Sequence, residues 1–92
     1  MQDTKKFKNK YVVIDDAVCN ISYNKKRFSI KLNDLHRMYI KMVKYNYIFG
    51  DLMFNKYYQL CIQINNKQIK FKLADNDRRY FIEAISAYRK LR

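Results

Sequence analysis

The chain has 92 residues, 49% of them apolar and 16% aromatic, and carries 20 Lys and Arg against 8 Asp and Glu for a formal charge of +12. So many aromatic and β-branched residues exclude a disordered chain, and the length excludes multi-domain enzymes, collagens and solenoid arrays. What is left is one small, basic, tyrosine-rich domain, with nine Tyr, six Phe, one Gly and no Pro or Trp.

Residues 1–10 read as a flexible basic segment in which Lys5, Lys6, Lys8 and Lys10 form a mobile arm, and 11–92 as a single domain. The first ten residues lack the apolar core of a secretion signal. No stretch approaches the roughly 18 apolar residues of a membrane-spanning helix. The expected setting is therefore cytoplasmic. Cys19 and Cys61 lie in apolar runs without CxxC or a Cys/His cluster, so both are expected as reduced, buried thiols.

Structure is expected to begin at Tyr11-Val12-Val13-Ile14, ended by Asp15-Asp16. Cys19, Ile21 and Tyr23 then alternate onto one face. Asn24-Lys25 fits a tight turn, because Asn tolerates positive φ. Phe28, Ile30 and Leu32 alternate with Arg27, Ser29 and Lys31, which makes a first hairpin ending at Asn33-Asp34. Leu35–Tyr45 fits two templates. As a strand, Met38, Ile40 and Met42 oppose Arg37, Tyr39 and Lys41; as a helix, Leu35, Met38, Tyr39, Met42 and Val43 form a stripe with Asn33 as cap. Tyr, Ile and Val favour the strand. Asn46–Asn55, with Gly50, reads as a turn or loop whose Ile48, Phe49, Leu52 and Phe54 pack back or add a strand.

The second hairpin is clearer. Tyr58, Leu60, Ile62 and Ile64 alternate with Tyr57, Gln59, Cys61 and Gln63; Asn65-Asn66-Lys67 turns; Ile69, Phe71 and Leu73 alternate with Gln68, Lys70 and Lys72. After Ala74 the apolar period becomes 3.6. Phe81, Ala84, Ile85, Tyr88 and Leu91 form the stripe of a helix from about Asn76 to Leu91. Asp75, Asn76 and Asp77 are placed to cap it, and Arg89, Lys90 and Arg92 lie at its C-terminal end. The fold class that follows is mainly-β α+β: an antiparallel bent sheet or partly open barrel capped by one C-terminal amphipathic helix.

Three segments carry a resemblance to a known family: Arg27–Leu35, the hairpin Tyr58–Ile64 with Ile69–Leu73, and the helix start Asp77–Ile85. Meandering antiparallel strands closed by one terminal helix resemble the pleckstrin-homology (PH-like) superfamily, in particular its small bacterial domains. The resemblance spans about Tyr11–Leu91. It implies a bent barrel plugged by the closing helix and a role in binding rather than catalysis. It also implies that the first hairpin presents basic residues to anionic headgroups, which here are Lys25, Lys26 and Arg27.

The residues themselves supply the same candidates. Lys25, Lys26 and Arg27 sit at the tip of the first hairpin with Lys31 along the same strand, and converging cations bind phosphate or carboxylate. The competing reading is a solvated, solubilising turn, and an AT-rich coding bias accounts for part of the Lys content. A second set, Tyr57, Lys67, Lys70 and Lys72, interleaves cations with a ring, as single-strand nucleic-acid platforms do. Arg78, Arg79, Arg89 and Arg92 fit either surface. No phosphate loop, nucleophile elbow or HExxH is present. His36 as a base, and Asp15-Asp16 with Asp34 or Asp51 as a metal site, are outweighed by surface and turn roles. No cofactor or metal is implied. The expected function is a non-enzymatic module engaging an acidic protein surface or anionic lipid headgroups, with nucleic-acid binding as the alternative. A third reading buries Tyr39, Tyr57 or Phe54 in a contact between copies.

Overall fold

The structure, a computed structural model, describes residues 6–49 and 51–91, with the backbone alone over 45–49 and 51–55. Seven strands run in order: β1 (Lys6–Lys8), β2 (Val12–Asp15), β3 (Val18–Tyr23), β4 (Lys26–Lys31), β5 (Leu35–Phe49), β6 (Asp51–Ile64) and β7 (Gln68–Leu73). A 3-10 turn at Asp75–Asp77 leads into the helix α1 (Arg78–Leu91). Each strand pairs antiparallel with its chain neighbour except across the β4–β5 junction. The result is a four-stranded sheet β1-β2-β3-β4 and a three-stranded sheet β5-β6-β7. Both sheets are open, so the barrel does not close by strand pairing. No helix among the described residues is long and apolar enough to cross a membrane.

Apolar alternation sets the faces. In β3, Cys19, Ile21 and Tyr23 are buried while Asn20 and Ser22 are exposed. Inward residues of the second sheet are Met38, Leu60, Ile62 and Leu73. Phe81, Ala84, Ile85 and Tyr88 of α1 complete the core, and Leu91 is half-buried against it. Full burial of a side chain such as Phe81 contributes about 1.5–3 kcal/mol, so the helix stripe is the sheets' cover. The helix packs on β1, β2 and β5, and its Phe81 also meets Phe71 of β7.

Rings and hydroxyls fasten that cover. Tyr11 stacks on Phe81, with Tyr23 edge-on to both. Phe71 joins Tyr23 and Phe81 to Phe28 of β4. Tyr88 Oη donates to the Leu35 carbonyl at 2.8 Å in a buried site. Asn9 Nδ2 donates to the Tyr80 carbonyl, while its Oδ1 accepts from Tyr11 N and Val12 N.

Three expectations change. Among the described residues regular structure is already present at Lys6, ahead of Tyr11: β1 is a short edge strand whose one apolar residue, Phe7, pairs with Ile14 and packs on the core. A single anchoring ring has no periodicity for a sequence to display. Lys5 lies outside the described residues. Leu35–Tyr45 is strand, the template that its Tyr, Ile and Val favour, but the pairing continues beyond it to Phe49↔Asp51. The polar residues Asn46 and Asn55 therefore lie within a long hairpin, so of the two readings of 46–55 the added strand holds and the loop does not. This arm accounts for a radius of gyration of 15.4 Å and extents of 62 × 28 × 24 Å, against about 12 Å expected for a compact domain of this length. The predicted positions of Gly50 and of the side chains of Ile48, Phe49, Leu52 and Phe54 lie outside the described residues.

The third change is at the helix start, where no side chain caps the 3-10 turn. Asp77 instead accepts hydrogen bonds from Tyr11 Oη (2.6 Å) and Tyr23 Oη (2.8 Å). Tyr23 Oη in turn accepts from Ala74 N. The two phenols hold the Asp77 carboxyl below the usual carboxylate range. The carboxylate raises the Tyr11 phenol in return, and burial is the main cause of the rise at Tyr23. Predicted helix end residue Arg92 lies outside the described residues.

Candidate functional site

The β3–β4 hairpin closes on Tyr23↔Lys26, with Asn24 (φ 50°) and Lys25 (φ 65°) as its two loop residues. Two successive positive φ values give the turn whose twist matches the flanking strands. Lys25 and Lys26 are exposed at the tip. Alternation then sends Arg27, Ser29 and Lys31 to the outside of β4, and Phe28 and Ile30 inward.

Between β4 and the β6–β7 hairpin lies a cleft of about 420 Å³. Arg27 and Lys31 reach it from β4, and Lys67 from the opposite turn. Phe28, Ile30, Ile64 and Ile69 form its floor, and Asp34 stands at one end. Of the floor residues Ile30 is buried, and the other three are partly buried. Asp34 Oδ1 accepts from Asn65 Nδ2 at 3.0 Å, and Asn65 Oδ1 contacts His36 Nε2. The cleft thus joins two groups of cations that sequence distance separates. Lys25 and Lys26 do not line it.

The second predicted set divides. Tyr57, Lys70 and Lys72 share the outer face of the three-stranded sheet, whereas Lys67 in the turn lines the cleft. The outer face gains Arg37, Tyr39 and Lys41 from β5, which lies alongside β6 in register Tyr39↔Cys61 and Lys41↔Gln59. Arg37 sits 4.5 Å from the centre of the Tyr39 ring and Lys72 5.1 Å from that of Tyr57. No carboxylate lies on this face among the described side chains. Strand parity alone already set Arg37, Tyr39 and Lys41 opposite Met38 and Ile40; what it lacked was the partner strand.

The remaining candidates are occupied by structure. Arg78 stacks 3.9 Å above the Tyr58 ring and Arg79 lies over Tyr80, so neither joins the cleft. His36 is exposed at the irregularity between Leu35 and Arg37, where β5 slips register. Asp15 closes β2, and Asp16 turns the chain with φ 40°; the Asp51 side chain lies outside the described residues. Among the described residues no three His, Cys, Asp or Glu side chains gather as a metal requires. Cys19 and Cys61 are free and buried. Burial pushes the Cys19 thiol up to about 11, which removes it as a nucleophile.

Comparison with known proteins finds no matching family model, curated protein or solved structure.

Proposed function

We propose that the chain is a non-enzymatic, PH-like interaction module of the cytoplasm that captures an acidic protein in the cleft between β4 and β7. The observation that carries this reading is the convergence of Arg27, Lys31 and Lys67 on one recess. Cations held on a strand and a facing turn around an apolar floor recognise carboxylates more selectively than a diffuse positive field does. The PH-like resemblance rests on the sequence segments Arg27–Leu35, Tyr58–Ile64 with Ile69–Leu73, and Asp77–Ile85, and the antiparallel strands followed by one terminal helix support it only at the level of fold class. A recess floored by Phe28 and Ile69 suits a protein segment better than a flat headgroup layer, which would meet the exposed tip Lys25-Lys26 instead.

The test is binding of fluorescent oligoglutamate at low salt. Replacing Arg27 and Lys31 by Glu is expected to weaken it at least tenfold, with an unchanged circular dichroism spectrum. Equal affinity of variant and parent would refute the reading. Anionic phosphatidylserine vesicles, probed in parallel with Lys25→Glu/Lys26→Glu, report on the headgroup version.

A second reading has its own observation. The outer face of β5-β6-β7 interleaves Arg37, Lys41, Lys70 and Lys72 with Tyr39 and Tyr57 and carries no carboxylate. That is the composition of a single-strand nucleic-acid platform, where base stacking contributes about 1–3 kcal/mol per ring. Oligo(dT) binding lost in Tyr57→Ala would place nucleic acid first.

A further inference from the structure

Two sheet edges border the same cleft. β4 ends the four-stranded sheet and β7 ends the three-stranded one. Phe28 stacks on Phe71 with ring centres 5.6 Å apart, and Lys31 shares the cleft with Lys67. The two edge strands therefore run antiparallel to each other across it.

Ladder parity shows which backbone groups face the opening. In antiparallel pairs, hydrogen-bonded and non-hydrogen-bonded residues alternate. The Leu32 amide donates to the Ala17 carbonyl, which continues the β3–β4 register and fixes Phe28 and Ile30 as residues bonded to β3. Arg27, Ser29 and Lys31 consequently turn their amides toward the cleft. The Lys31 carbonyl is taken by the Asp34 amide at 2.9 Å; the carbonyls of Arg27 and Ser29 face outward. On β7 the Ile64 amide donates to the Lys67 carbonyl, so Gln68, Lys70 and Lys72 present the outward groups.

Resting on the acidic-partner reading, we propose that the cleft binds its partner as an added β-strand: an extended acidic segment that pairs with the outer edge of β4. Strand addition satisfies edge amides and carbonyls with the partner's main chain, and alternate side chains supply specificity. The alternation here is defined. Inward side chains of the added strand would cover the remaining exposed surface of the partly buried Phe28, Ile64 and Ile69, so they should be apolar. Outward ones would lie beside Arg27 and Lys31, with Lys67 lining the cleft from the opposite turn, so they should be acidic. The like charges on both edges oppose edge-to-edge pairing of two copies, and they select an acidic strand over a basic or neutral one.

The test uses a synthetic peptide of about eight residues alternating Glu and Val, titrated calorimetrically into the full chain. A matched peptide has alternate backbone amides N-methylated, which removes donors without changing charge. Ser29→Pro is the reciprocal variant. Its amide does not serve the β3 ladder, so an edge proline is tolerated there; circular dichroism checks the fold. The expected result is binding by the plain peptide, at least tenfold weaker with N-methylation, with Ser29→Pro and with Arg27→Glu/Lys31→Glu. Binding that depends on the cations but ignores N-methylation overturns strand addition while the acidic-partner reading stands. Absence of binding by this peptide, with oligoglutamate still bound in a cation-dependent way, overturns it too. Failure of both probes removes the reading on which the proposal rests.

Discussion

At the scale of single residues, Asp77 shows how a side chain chosen for one role serves another. The run Asp75-Asn76-Asp77 has the composition of a helix cap, and sequence reading assigns it so. In the fold Asp77 accepts Tyr11 and Tyr23 hydroxyls and ties the helix start to β3 and the segment before β2. The signal that distinguishes the two roles is two tyrosines 66 and 54 positions away, which no local pattern contains. Hydrogen bonding to the charged form holds the Asp77 carboxyl below the usual carboxylate range. A depressed carboxyl stabilises the fold above its unfolded value, near pH 4, and that contribution fades as pH falls through the folded value. Melting temperature should therefore drop on acidification from about pH 5 to below about pH 3. Asp77→Asn should melt lower than the parent at pH 7 and converge on it in acid. Parallel pH profiles for the two proteins would show that Asp77 is not the group responsible.

At the scale of elements, the turns carry the sharpest consequence. Lys25 holds a φ of 65° without being glycine, a conformation that costs a β-carbon-bearing residue about 1–2 kcal/mol. Lys25→Gly relieves it, less the backbone entropy that glycine loses on folding, and should stabilise by about 0.5–1 kcal/mol. Thermal melting should rise by a few degrees, while oligoglutamate binding stays unchanged because Lys25 does not line the cleft. A lower melting temperature would mean the turn is not built on two left-handed residues. This hairpin was legible beforehand because Asn24 and the flanking alternation agree. The β6–β7 hairpin and the helix stripe were legible for the same reason: local propensity and burial point one way. The long arm was legible only in part: the strand over 35–45 was favoured, and the added strand over 46–55 was one alternative to a loop. Asn46, Gly50 and Asn55 carry turn chemistry, yet the pairing of β5 with β6 runs through Asn46↔Phe54 and Tyr45↔Asn55. Pairing with a neighbouring strand there overrides the residues' own preference. Half of the cleft was visible in the same way, since Arg27 and Lys31 follow from alternation. Its other half, Lys67, comes from a turn whose place beside β4 is set by how the two sheets meet.

At the scale of the molecule, the question is whether +12 acts as a field or as a site. A charge this large attracts any polyanion, and salt weakens that attraction over a Debye length of about 8 Å at physiological ionic strength. Net charge and location separate in a paired experiment. Arg27→Glu/Lys31→Glu alters the cleft; Lys41→Glu/Lys72→Glu alters the outer face of the other sheet. Each exchanges two cations for two anions, so the two variants have the same net charge as each other, lower than the parent's. A diffuse field predicts equal losses of oligoglutamate affinity and equal salt slopes for the two. The cleft predicts a large loss for the first pair and a small one for the second. It also predicts that a remnant of the parent's affinity survives in moderate salt, because carboxylates seated between fixed cations over an apolar floor are screened less than exposed ones. A larger loss from the Lys41 and Lys72 pair would move the binding surface to the tyrosine-bearing face, and oligo(dT) would then be the probe to follow.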